Sequence, residues 1–143
     1  MKSILVLCEG NICRSPMAQG LLAVALPQAQ VQSAGLGALV SMPADETAVR
    51  LMQARGIDIT GHRARQVNRT LCTQADLVLV MDTDQKHRVE GLYPQVRGRV
   101  FRVGEHARRD IPDPYRQPAQ AFRDSLAFID EGVLEWLQRI QRL

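Results

Sequence analysis

Short apolar runs that lead straight into helical patterns constrain this chain more than any other feature. Ser3 to Cys8 (SILVLC) and Asp76 to Met81 (DLVLVM) read as short strands buried in a sheet. Gln30 to Ala34 is a weaker strand, broken by Gly35-Leu36-Gly37, and Arg99 to Val103 is a fourth. Helical patterns fill the gaps. Ser15 is placed as an N-cap with Pro16 at the first helical position, ahead of a stripe of Met17, Leu21, Leu22 and Leu26. Asp45 to Arg55 carries Val49 and Met52 on one face, with Gly56 as its C-terminal cap. Thr83 to Glu90 is a further helix. Ala119 to Gln141 is a long amphipathic one, with Phe122, Leu126, Ile129, Val133, Trp136/Leu137 and Ile140 at spacings of three and four.

Strands alternating with helices predict an α/β fold: a four-stranded parallel sheet, doubly wound, with helices on both faces. The 143 residues fit one domain, 1–143. In such sheets chemistry sits beyond the carboxyl ends of the strands, at the topological switch point. Cys8 stands at the carboxyl end of the first strand.

Several function classes are disfavoured. The apolar run at the N-terminus is shorter than the roughly 7–15 residues of a signal-peptide core, and Leu7 is too bulky for a small-residue cleavage site before Cys8. No stretch reaches the roughly 18 apolar residues of a membrane span, so membrane insertion is not expected and the expected location is cytoplasmic. Three cysteines, two of them in one short loop, argue for thiol chemistry over a disulfide scaffold. A net charge of +3 is a mild bias towards anions. Three Phe, two Tyr and one Trp show no interleaving with basic residues, so a nucleic-acid partner is not expected. His87 and His106 lack metal-ligand partners at suitable spacing and read as surface residues, and Cys72 reads as a partly buried thiol.

The stretch from Cys8 to Ser15 (CEGNICRS) is where the pattern becomes chemical. A tight loop before a helix offers backbone N–H groups and the positive end of a helix dipole. Gly10 permits the turn, and Arg14 can grip an oxyanion with two parallel hydrogen bonds. A phosphate dianion fits such a cradle. The N–H dipoles, the helix end and the guanidinium all favour the thiolate of Cys8, an in-line nucleophile towards a bound phosphate. Ser15 can donate a hydrogen bond to the sulfur and improve it as a leaving group. A departing alkoxide or phenoxide needs a proton, and DIPDPYRQ (110–117) supplies a carboxylic acid. Asp113, stiffened by Pro112 and Pro114 and followed by Tyr115, is preferred over its rival Asp110.

Together these stretches resemble the low-molecular-weight protein tyrosine phosphatases. CEGNICRSP is similar to the family's phosphate loop and DPY to its general-acid motif. SAG (33–35), GHRARQ (61–66) and LVLVMD (77–82) fall in the family's order and spacing, so the likeness covers nearly the whole chain. It implies a flavodoxin-like three-layer fold with strand order 2-1-3-4. It makes Cys8 the nucleophile, Arg14 the phosphate ligand and Asp113 the general acid and later base. It makes Glu9, Gly10, Asn11, Ile12, Cys13, Arg14 and Ser15 the phosphate-binding loop, supported by Asn11, Ser15, Ser33 and His62. It implies no metal and no cofactor. Cys13 matches a second loop cysteine that can form a reversible disulfide with the nucleophile.

Ile12 stands where members acting on phosphoarginine carry Thr, which favours aryl phosphate. Leu39, a substrate-wall residue with Tyr115 by the same resemblance, stands where eukaryotic members of the family tend to place an aromatic one, and the acid loop reads Asp-Pro-Tyr-Arg rather than Asp-Pro-Tyr-Tyr. Both resemble the bacterial branch serving capsule or exopolysaccharide export. The implied substrate is a phosphotyrosine protein, an autophosphorylating bacterial tyrosine kinase, met by a monomer or weak dimer. A phosphoarginine phosphatase is disfavoured by Ile12. A thiol-dependent arsenate reductase is disfavoured because the only further cysteine, Cys72, precedes the third strand. A phosphate-binding module without catalysis would need neither Cys8 nor Asp113.

Overall fold

The structure is a computed structural model, and it describes residues 1–142. Four parallel strands, β1 (Ser3–Cys8), β2 (Gln30–Gly35), β3 (Leu77–Val80) and β4 (Val100–Arg102), lie in the order β2-β1-β3-β4. Five helices surround them: α1 (Arg14–Ala25), α2 (Glu46–Gln53), α3 (Arg69–Gln74), α4 (Thr83–Leu92) and α5 (Ala119–Ile140). A 3-10 turn, Pro94–Val96, precedes β4.

The alternation along β1 divides the core. Ile4, Val6 and Cys8 face α1, α2 and α5, packing with Met17, Leu22, Met52 and Ile129. Leu5 and Leu7 face the other way, towards Cys72, Val89 and Val96 around α3 and α4. Because β1 lies between β2 and β3, connections leave its carboxyl end on a reversal of strand order. That is the crevice where this architecture exposes backbone and side chains to a ligand.

Local expectations needed correction at several points. Ser15 is not an N-cap. Helix α1 starts at Arg14, Cys13 takes the cap position without a side-chain bond, and the Ser15 hydroxyl is engaged elsewhere. Pro16 is therefore the third helical residue, still within the first turn, where its missing N–H leaves no bond unmade. Leu21 and Leu26 are only partly buried, since Ala18 beside Met17 and Leu22 completes the inner stripe. Helix α2 ends at Gln53, and Gly56 lies beyond it with φ +75°. The breaking glycine of β2 still belongs to the strand, because Gly35 pairs with Cys8.

Strand β3 omits Asp76 and Met81, and β4 omits Arg99 and Val103. Asp76 instead accepts from the backbone N–H groups of Lys2 and Ser3. Helix α3 has no counterpart in the sequence reading. It is a six-residue turn capped by Asn68, too short for periodicity to reveal. His106 is no simple surface residue, since its ring stacks edge-on against Trp136 at 4.7 Å. Cys72 is fully buried among Leu5, Val78 and Val89, and burial pushes its thiol up to about 11.

One contact fixes α5 against the sheet. Gly132 sits against the Val103 backbone so closely that a Cβ would collide with the Val103 carbonyl and lie 2.8 Å from its Cγ1. Gly132→Ala forces α5 away from Val103, just beyond β4, and we expect it to cost about 1–3 kcal/mol of stability in urea unfolding. An unchanged midpoint would contradict this packing.

Candidate active site

The connection from β1 to α1 forms the floor of a pocket lined by Cys8, Ile12, Arg14, Leu39, Asp113 and Tyr115, among others. Cys8 Sγ lies 2.9 Å from Ser15 Oγ and accepts from the backbone N–H of Asn11 at 3.3 Å. The backbone N–H groups of Gly10, Ile12 and Cys13 have no protein acceptor among the described residues, which leaves them to donate to an oxyanion.

Asn11 organises the loop. Its backbone is left-handed, with φ 60°, a conformation Asn tolerates better than most residues. Its amide donates to Ser15 Oγ at 2.7 Å and Ser33 Oγ at 3.0 Å, and its Oδ1 accepts from the Arg65 backbone at 3.0 Å. Its carbonyl accepts from His62 Nε2 at 2.6 Å. With Asn11 donating to Ser15, the serine proton is free to point at the sulfur. A further link sets this polarity. Ser33 donates to Gln19 Oε1 at 2.6 Å, and Gln19 Nε2 donates to the Val31 carbonyl. Gln19 and Arg65 were missed by the sequence reading. Gln19, one helical turn after Ser15, was the signal that could have found the first.

Arg14 is 3% exposed. Its Nη1 donates to the Ile111 carbonyl at 2.8 Å and lies 3.8 Å from Asp82 Oδ2, and its Nη2 lies 3.5 Å from Asp113 Oδ2. Its Nε has no partner among the described residues, a buried donor available to a ligand oxygen. Asp113 is half exposed and accepts from the Tyr115 backbone N–H at 3.1 Å. Asp110 does not line the pocket; it accepts from Thr83 and from Arg102 at 3.0 Å. Burial opposes its ionisation, but Arg102 and Thr83 hold its carboxyl below the usual range. It anchors the acid loop to α4 and β4.

Burial, reinforced by the charges of Asp45, Cys8 and Asp113, pushes Cys13 far above the ordinary thiol range, so it stays protonated. Leu39 and Tyr115 are partly exposed at the rim, and Arg116 stacks over the Tyr115 ring at 5.2 Å. No group of three or more His, Cys, Asp or Glu among the described residues converges to hold a metal ion. Among the described residues no helix is long and apolar enough to cross a membrane.

His62 supplies a pH-dependent support. Burial lowers its pKa, Arg63 and Arg65 push the same way, and the bond to Asn11 opposes them. The folded state thus disfavours the protonated ring. Its contribution to stability is full above the unfolded value of about 6.5 and is lost as pH falls below it. In urea titrations from pH 8 towards pH 5, the stability difference between wild type and His62→Gln should shrink as the pH drops. A constant difference would contradict the assignment.

The match to known proteins extends over the chain. A family model described as low molecular weight phosphotyrosine protein phosphatase matches residues 3–143. A Ralstonia solanacearum relative named "Probable low molecular weight protein-tyrosine-phosphatase EpsP" is 52% identical over 143 residues, 100% of this chain and 99% of the relative. Among solved structures, Vibrio vulnificus Wzb in complex with benzylphosphonate superposes with a TM-score of 0.93 at 36% identity, covering 96% of this chain and 98% of that one. The YwlE arginine phosphatase from Geobacillus stearothermophilus superposes with a TM-score of 0.92 at 28% identity, covering 99% and 94%.

Proposed function

The chain belongs to the low molecular weight phosphotyrosine protein phosphatase family, and from that membership and the geometry of the pocket we propose that it hydrolyses phosphotyrosine in proteins through a cysteinyl-phosphate intermediate. The observation that carries this reading is the convergence on one pocket of Cys8, the buried guanidinium of Arg14 with its unused Nε, and the carboxyl of Asp113.

The phosphate dianion rests on the loop N–H groups and Arg14. Cys8 Sγ attacks phosphorus, and the S–P bond forms as the bond to the phenolic oxygen breaks. Asp113 gives its proton to that oxygen. In the second step Asp113 takes a proton from water, the water oxygen bonds phosphorus, and the thiolate leaves, stabilised by Ser15 Oγ and the Asn11 N–H. The aryl ring lies between Leu39 and Tyr115. Cys13 provides the second thiol of a protective disulfide: peroxide oxidises Cys8 to a sulfenic acid, which condenses with Cys13 and releases water.

The partner we propose is an autophosphorylated bacterial tyrosine kinase of polysaccharide export, met in the cytoplasm by a one-domain enzyme that is a monomer or weak dimer. The smaller wall residue Leu39 suits a flexible tyrosine-bearing tail better than a tightly clamped lone ring. Phosphate release from a phosphotyrosine peptide and from phosphoarginine tests the reading. Release from the peptide is expected. Release from phosphoarginine alone would overturn it in favour of an arginine phosphatase, and Ile12 on the loop is the residue that argues against that outcome.

A further inference from the structure

A carboxylate stands where the pocket's chemistry least favours one. Glu9 immediately follows Cys8, lines the pocket and is the only acidic residue between Cys8 and the end of the phosphate loop at Ser15. An unpaired negative charge there opposes both a phosphate dianion and a thiolate. The fold builds a socket for it from two directions. Arg88 reaches from α4 with Nη1 2.5 Å from Glu9 Oε1 and Nη2 3.3 Å from Oε2, a two-pronged grip across distant parts of the chain. Gly37 makes room on the other side. Its N–H donates to the Glu9 carbonyl at 2.9 Å, and a Cβ there would fall 2.7 Å from Glu9 Oε2. The Arg88 hydrogen bond holds the Glu9 carboxyl below the usual range against the effect of burial, and the charge of Arg14 acts in the same sense.

We propose that Arg88 is a charge-neutralising positioning residue of the phosphate site: its ion pair with Glu9 cancels the one negative side chain of the loop and so preserves the cradle's affinity for a dianion. This rests on the reading of the pocket as a phosphate site. It separates Arg88 from Arg14, which grips the ligand directly. The half-exposed Glu9–Arg88 pair is neutral, and the other carboxylate near Arg88, Asp84 at 3.8 Å on the same helix, is largely exposed and unchanged in every variant compared below. Arg88→Ala leaves a net charge of −1 beside the pocket, and adding Glu9→Gln returns it to zero. A direct attraction of Arg88 for phosphate would not be restored in that way.

The test is calorimetric titration of inorganic phosphate into the full chain at low ionic strength, with KM for a phosphotyrosine peptide measured alongside. Arg88→Ala should weaken phosphate and raise KM by roughly tenfold. Arg88→Lys should keep most of the affinity, and Arg88→Ala with Glu9→Gln should recover most of what Arg88→Ala lost. Circular dichroism of each variant checks folding. If Arg88→Ala itself does not fold, Arg88→Gln with and without Glu9→Gln poses the same charge comparison. Wild-type affinity in Arg88→Ala, or a double variant as weak as the single one, would overturn the inference alone. A wild type that binds no phosphate would overturn the phosphate-site reading as well.

Discussion

Cys8→Ser should lower turnover of a phosphotyrosine peptide by at least roughly 10⁴-fold while phosphate binding persists. A serine hydroxyl at this position is a far poorer nucleophile than a thiolate, and the loop does not need the sulfur for its shape. Asn11 is held by Ser15, Ser33, Arg65 and His62, and Arg14 by the Ile111 carbonyl. The anion cradle should therefore survive. Steady-state kinetics and phosphate titration on the same preparation separate the two effects. Turnover within tenfold of wild type would end the thiolate mechanism, and Cys13, buried and held protonated, is a poor substitute.

Asp113→Ala should slow phosphotyrosine hydrolysis by roughly 10²–10³-fold, because the phenolic oxygen then leaves without a proton. An ester whose leaving group is already a stable anion needs no such help and should lose far less. The contrast between the substrates is the diagnostic part, since a general loss of pocket shape would affect both alike. The position of Asp113 supports the assignment: it is the acid-loop carboxylate that lines the pocket and lies 3.5 Å from Arg14. Asp110 is bound to Arg102 and Thr83. An equal loss on both substrates would remove Asp113 from the acid role.

The legible parts of this chain share a physical cause. The strands and the long helix α5 follow from apolar runs and spacings that a linear sequence displays directly, whereas the strand order is what the family resemblance implies. The candidate phosphate loop could be proposed from the sequence because its residues are contiguous, and the candidate acid loop because prolines bracket Asp113. What escaped were roles set by distant neighbours. Ser15 has the composition of an N-cap, yet its hydroxyl serves Cys8 and Asn11, so tertiary demand displaced a local preference. Gln19 and Arg65 look like ordinary polar residues until β2 and the 61–66 segment bring them to Ser33 and Asn11. Arg88 is one of the chain's many arginines and sits on a polar helix, and only the fold reveals Glu9 beside it. Short elements such as α3 carry too few residues for any period to show.

The central claim is a covalent phosphate on Cys8. Asp113→Ala mixed with an excess of an ester bearing a very good leaving group forms the intermediate while the water step lacks its base. Rapid acid quench, proteolysis and mass spectrometry then locate the phosphate. The account predicts a phosphate adduct on the peptide carrying Cys8, lost in Cys8→Ser. Burst release of the alcohol with no phosphate on that peptide, or the same adduct in Cys8→Ser, would contradict it.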